Sequence, residues 1–407
     1  MNSIEARPWK VRLTLVAISA ALGLWVALSL VPHLGAPPEV VRVMDSGIDP
    51  ERILGERGRD PSLLPPLSPE RLLDRKPWSP AVTAYFWPQL RGQGNNWEAH
   101  PILGARRRPH FQAYLRHGEH PRGGYPVRCN ALGMRDGELL ENPDLRVLVA
   151  GDSQTEGVCA NTESFSNLWE ARLRDEFSDR AVEVLNAGQG GTSPWTYLNA
   201  LEAYAELKPD LFCPVFFGGN DFRGALELER FHRQRGSGKG RYRKDLRERL
   251  PGMTPGERHQ EIDQAAYFIT NPEDREIGVQ VWVALSMEMQ RQCTALGCAF
   301  RPIYLPPAYN GQPGEFPEEI ETLRVGWPEL HAEMNALDLL VDTWIAELAQ
   351  RGVPVLDLRG VIRTAEERLY WSRDLHLNLN GHARVAEALD AQLRAAAGVA
   401  LSRSEDQ

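Results

Sequence analysis

The chain has 407 residues, 25% of them charged and 42% hydrophobic, with a formal net charge of −9. That length accommodates one large domain with appendages or two domains, and the balance is ordinary for a folded chain. The acidic surplus argues against nucleic acid as a partner, and five scattered cysteines exclude a disulfide scaffold. Neither a CxxC pair nor an HExxH helix occurs, so no metal and no cofactor is expected.

In chain order, Arg7, Lys10 and Arg12 precede LTLVAISAALGLWVALSLV, residues 13–31, which carry no charge. A helix needs about 20 apolar residues to cross a bilayer, and basic flanks stay on the cytoplasmic side. The expectation is a cytoplasmic segment 1–12 and a transmembrane helix 13–31. The remainder would then lie outside the cytoplasm, periplasmic or extracellular. The rival is a cleaved signal peptide, whose apolar core is usually shorter, about 7–15 residues. Residues 32–143 are rich in proline and charge, as in PSLLPPLSPERLLDRKPWSP, and read as an irregular extension. Within it, the basic stretch ARRRPHFQAYLRHGEHPR reads as solvated surface.

From residue 144 apolar runs alternate with amphipathic stretches. LRVLVA (145–150), AVEVLNA (181–187), DLFCPVFF (210–217), AFRPIYL (299–305) and VPVLDL (353–358) predict five strands of a parallel sheet covered on both faces. Helices are predicted near 162–177, 195–207, 279–296, 329–350 and 381–396. The order predicts a three-layer α/β/α domain over 144–398 with a short tail, 399–407. A charged insertion, 222–277, follows the third strand and reads as either a lid or a surface excursion. Cys293 and Cys298 flank a helix end at Gly297, and a disulfide and a reduced pair both remain open. Cys129 and Cys159 are likewise read as buried or paired.

Ligands of open parallel sheets bind past the carboxyl ends of the strands. There the sequence places Gly151-Asp152-Ser153, then Asn186 to Thr192 with three glycines, then Gly218-Gly219-Asn220-Asp221, and later Asp374-Leu375-His376. Serine needs a base to become a nucleophile, and His376 suits the task, with Asp374 to orient its ring. Backbone N–H groups of Ser153 and Gly191 and the Asn220 side chain would bind an oxyanion. Taken singly, each piece has a plainer explanation: GDS as a helix cap, Asn220 as a turn residue, His382 and Asp357 as structural polar groups. Trp195 and Tyr197 could line a site, but read first as packing.

GDSQTEG, NAGQGGTS, GGND and DLHLN, in this order over about residues 145–396, resemble the four sequence blocks of the SGNH (GDSL-like) hydrolase superfamily. The resemblance implies a flavodoxin-like fold and an acyl-serine mechanism. It assigns Ser153 as nucleophile, Gly191 and Asn220 to the oxyanion hole, His376 as base and Asp374 as acid. NALGMRDGE resembles the segment ahead of the sheet in membrane-anchored bacterial members. Two departures stand out. The usual Asp-x-x-His is one residue shorter here, a form shared with some polysaccharide acetyltransferases, and Gln154 replaces a common leucine. Together with an exported location, these features lead one to expect an esterase acting on an ester or O-acylated glycan of the cell envelope. The alternatives are an O-acetyltransferase using the same residues and a catalytically silent scaffold that binds glycan or a partner.

Overall fold

The computed structural model describes residues 96–233 and 260–404, and residues 13–31 lie outside that range. Among the described residues no helix is long and apolar enough to cross a membrane.

The described chain begins with two antiparallel pairs. β1 (Trp97–His100) pairs with β2 (Gly104–Arg107), and β3 (Gln112–Arg116) with β4 (Gly124–Arg128). This corrects the expectation that 32–143 is irregular throughout. The basic stretch is also more than solvated surface: Arg106 bonds Glu98, and Arg107 bonds Glu156 beside the site.

The central sheet holds β5 (Leu145–Gly151), β6 (Val182–Gly188), β7 (Leu211–Phe217), β8 (Ala299–Phe300), β9 (Ile303–Leu305) and β10 (Leu356–Asp357). All its pairings are parallel, in the order β10-β9-β7-β5-β6 with β8 also on β7. Six strands replace the five expected because AFRPIYL splits in two. The register Phe212↔Phe300 and Val215↔Ile303 sets Pro214 opposite Pro302. Neither proline has an N–H to donate, so the ladder is interrupted there. Pro354 similarly leaves only two residues of VPVLDL in the sheet.

β5 is buried along its whole length because its two faces serve two cores. Val147 and Val149 pack with Phe165 and Trp169 of α2 (Phe165–Glu176) and with Val385 and Leu389 of α8 (Leu379–Ser404), α1 being the short turn Ser153–Glu156 after β5. Leu148 and Ala150 face α3 (Pro194–Ala203) and, through Trp282 and Trp344, the helices Asp274–Leu296 and Leu337–Gln350, called α6 and α7. Each fully buried aliphatic side chain contributes about 1.5–3 kcal/mol, which is why a strand this apolar can only be central.

The insertion is helical at both ends: α4 (Asp221–Arg233) before it and α5 (Gln260–Thr270) after it, while 234–259 lie outside the described residues. Phe222 of α4 stacks on Trp282 with centroids 3.6 Å apart, so these ends belong to the core rather than to a detached lid. The expected tail also begins too early, since α8 continues to Ser404. All five cysteines are unpaired thiols, and Cys293 hydrogen-bonds Cys298.

Candidate active site

The strand order is 2-1-3-4-5 in sequence terms (β6-β5-β7-β9-β10), with its switch point between β5 and β7. Ser153 follows β5 and Asn220 follows β7, so both stand at that crevice. Asp152 caps α1 by accepting the Gln154 N–H at 2.9 Å, which leaves Ser153 as the first residue of the helical turn with its own N–H free of helical pairing.

His376 Nε2 lies 2.7 Å from Ser153 Oγ, and His376 Nδ1 bonds Asp374 Oδ1. The short Asp-x-His spacing works because Leu375 adopts the left-handed backbone, φ +58°. That conformation costs a non-glycine residue about 1–3 kcal/mol. It curls the tripeptide so that Asp374 Oδ1 also accepts the His376 backbone N–H at 3.2 Å. The loop is closed beneath by a bridge between Tyr370 and Leu377 and by Trp371 N–H donating to His376 O at 2.8 Å. Gln154 fastens it to the serine turn, donating to Leu375 O at 3.2 Å and accepting the Leu377 N–H at 2.9 Å. A leucine at 154 would make neither bond.

Burial works against a charged imidazole at His376, but the hydrogen bond and charge of Asp374, with Asp152 nearby, outweigh it and raise its pKa. Burial likewise opposes the Asp374 carboxylate, and the His376 bond and charge, aided by His117, hold its pKa below the usual value. Asp152 is pushed up to about 6 by burial.

Nothing in the residue pattern points to the outer supports of this loop. Glu119, in the turn between β3 and β4, accepts the backbone N–H groups of Ser372 (2.8 Å), Arg373 (3.1 Å) and Asp374 (3.2 Å), and the Ser372 hydroxyl. His117 Nε2 lies 3.5 Å from the second Asp374 oxygen, its ring 5.1 Å from that of Trp371.

On the other side of Ser153, a Cβ on Gly190 would stand 3.6 Å from Ser153 Cβ, which brings the 188–192 loop against the serine. Glu156 accepts the Gly190 N–H at 2.7 Å while Arg107 grips its other oxygen at 2.6 Å. Gly191, at φ +76°, takes a backbone turn that a side chain would strain. Asn220 Oδ1 is buried with no partner. The motif NALGMRDGE explains itself in three dimensions. Arg135 binds the carbonyls of Glu156, Gly157 and Cys159, and Asp136 accepts the Asn186 N–H.

Ser153, His376 and Asp374 are therefore in direct contact, and Gly191 and Asn220 share their rim. Other residues weighed from sequence lie elsewhere. His382 is buried, accepts the Phe165 N–H, and is pulled down to about 3 by burial. Asp357 bonds Arg359; Trp195 is core, and Tyr197 bonds Asp221. Burial raises the Cys129 and Cys159 thiols to about 11 and about 12, so neither is an activated nucleophile.

A cavity of about 280 Å³ opens beside His376, walled by Gln154, Phe217, Glu261, Pro307 and Ala308. A larger groove, about 940 Å³, runs between β3–β4 and α2 and touches none of the three contacting residues. Volume does not mark this site; the serine–imidazole contact does.

The family model described as GDSL-like Lipase/Acylhydrolase matches residues 149–384. The chain belongs to this family. This GDSL-like hydrolase is similar to several solved structures. One is titled TesA (18% identity, 61% of this chain and 98% of that one, TM-score 0.36). Another is a lipase/acylhydrolase from Enterococcus faecalis (16%, 62% and 96%, 0.36). A third is a mutant of an acetyl-xylooligosaccharide esterase from Geobacillus stearmophilus (14%, 61% and 93%, 0.34). Likeness at this level carries no information about substrate. No curated protein matches the sequence.

Proposed function

We propose that this GDSL-like hydrolase is a serine esterase that works through an acyl-serine intermediate and acts outside the cytoplasmic membrane on O-acylated glycan. The observation that carries the chemistry is the 2.7 Å contact between His376 Nε2 and Ser153 Oγ, backed by Asp374 on the far ring nitrogen. With Nδ1–H donated to Asp374, Nε2 is unprotonated and accepts the Ser153 hydroxyl proton as Oγ attacks the ester carbonyl. The oxyanion gathers the N–H groups of Ser153 and Gly191 and the Asn220 amide. As the ester C–O bond breaks, Nε2–H passes its proton to the leaving alkoxide and the acyl group stays on Oγ. Water, deprotonated by the same nitrogen, then releases the acid. Asp374 keeps its charge throughout and stabilises the imidazolium.

The location and the glycan rest on sequence, namely the uncharged run 13–31 behind Arg7, Lys10 and Arg12. Carbonate extraction should leave the full-length chain in the membrane pellet; its release in soluble form would overturn the anchor. For the chemistry, the full chain should hydrolyse p-nitrophenyl acetate and take a fluorophosphonate label, and Ser153→Ala should lose both. Equal turnover by Ser153→Ala would sink the mechanism. Appearance of the acetyl group on an added polysaccharide, rather than as acetate, would make the enzyme a transferase.

A further inference from the structure

Among the described residues, the cavity beside His376 has His376 on its wall and neither Gly191 nor Asn220. That asymmetry has a chemical meaning. The oxyanion side of a serine esterase holds the carbonyl oxygen, whereas the leaving oxygen must sit where Nε2–H can hand it a proton. A space bounded by the imidazole is therefore the space for the alcohol half of the ester.

One wall group of this cavity has no settled structural role for half of its polar atoms. Glu261, in the first turn of α5, is 6% exposed. Its Oε1 accepts the Tyr309 N–H at 3.0 Å, while Oε2 is buried without any partner. Burial pushes this carboxyl up to about 8, against the opposing backbone bonds from Tyr309 and Asn310, so near neutrality it is un-ionised and can both donate and accept. A buried carboxyl oxygen left unpaired is a cost to the fold unless a ligand meets it. The rest of the wall is apolar surface (Phe217, Pro307, Ala308), Gln154, whose amide is already engaged, the Asp374–Leu375–His376 turn, and the exposed Gln260 and Arg373. Gln260 and Arg373 are solvated, so Glu261 is the buried wall group with an oxygen free to recognise a polar feature of the alcohol. A neutral carboxyl suits an uncharged hydroxyl.

We propose that this cavity is the leaving-alcohol subsite and that Glu261 hydrogen-bonds a hydroxyl of a polyhydroxy alcohol there. The inference rests on the esterase reading. As the alcohol leaves, the acyl carbon–oxygen bond breaks, the acyl group remains on Ser153, and the alkoxide takes the proton from Nε2; Glu261 exchanges no proton.

The test compares two acetates of similar size on the full chain: glycerol monoacetate, with hydroxyls beside the ester, and propyl acetate, without them. The ratio of their kcat/KM values is independent of how much of a variant is folded. Wild type should favour the glycerol ester about tenfold or more. Glu261→Gln, which keeps a donor and an acceptor, should retain that ratio, and Glu261→Leu or Glu261→Met should bring it close to one, chiefly through KM. No preference in wild type overturns the proposal, as does an unchanged ratio in both apolar variants. A folded wild type that hydrolyses neither acetate nor p-nitrophenyl acetate would instead sink the esterase reading beneath it.

Discussion

The carboxylate of Glu119 accepts the backbone N–H of Asp374 at 3.2 Å, together with those of the two residues before it, although the two acids are far apart in the chain. A hairpin turn thus holds the backbone from which the imidazole and its acid both project. Glu119→Ala is expected to lower kcat about tenfold with little change in KM, and to destabilise the protein by about 1–2 kcal/mol, since the site is partly exposed. Burial opposes the Glu119 charge, but the Ser372 hydroxyl and the backbone donors outweigh it, and its pKa lies below the usual value. Its stabilisation is therefore present above the unfolded carboxylate pKa and is lost as pH falls through the depressed folded value. Thermal melts against pH should show that acid-side loss in wild type and less of it in Glu119→Gln.

Asp374 raises the His376 pKa, and catalysis needs the neutral ring. Asp374→Asn should therefore move the acid limb of kcat/KM to lower pH while cutting kcat by about 10³–10⁴-fold. A pH–rate profile of the variant reads both effects, and an acid limb left in place would show that another group sets it.

Asn220→Ala should lower kcat by about 10²–10³ with a modest effect on KM, the signature of a donor used mainly in the transition state. Arg107→Ala acts one step back. Without the guanidinium, Glu156 is less firmly held against Gly190 N–H, and a smaller fall of about threefold to tenfold is expected in kcat under saturating substrate.

Burial raises several carboxyls in the folded chain: Asp136 to about 6, Asp152 to about 6, Glu170 to about 7 and Glu261 to about 8. Each binds its proton more tightly folded than unfolded, so its contribution is full below the unfolded value of about 4 and is lost as pH rises through the folded one. The melting temperature should fall between about pH 5 and pH 8. Glu170→Gln should flatten that slope.

The central strands were legible because β5, β6 and β7 are almost wholly apolar, a pattern only a doubly covered sheet produces. Ser153, Gly191 and Asn220 were legible because they closely follow those strands, and Asp374 and His376 because they form a recognisable acid–histidine pair ahead of the last helix. The split at Pro302 was missed because its cause, Pro214 in the neighbouring strand, appears only once the register is known. β3 and β4 were missed because each is five residues long and exposes alternate polar side chains such as Gln112, Arg116 and Arg128. Glu119, His117 and Glu261 have no periodicity at all. Their importance lies in what they meet in space.

The hairpin brace lies upstream of the segment that the family model covers. A protein shortened to begin at residue 144 would retain the serine, imidazole and carboxylate and could still form the sheet. It would nevertheless lack Glu119, His117, Arg107 and Arg135, and with them the outer scaffolding of both halves of the catalytic rim. Grafting a relative's hairpin onto this sheet would accordingly retune turnover without touching a single reacting atom.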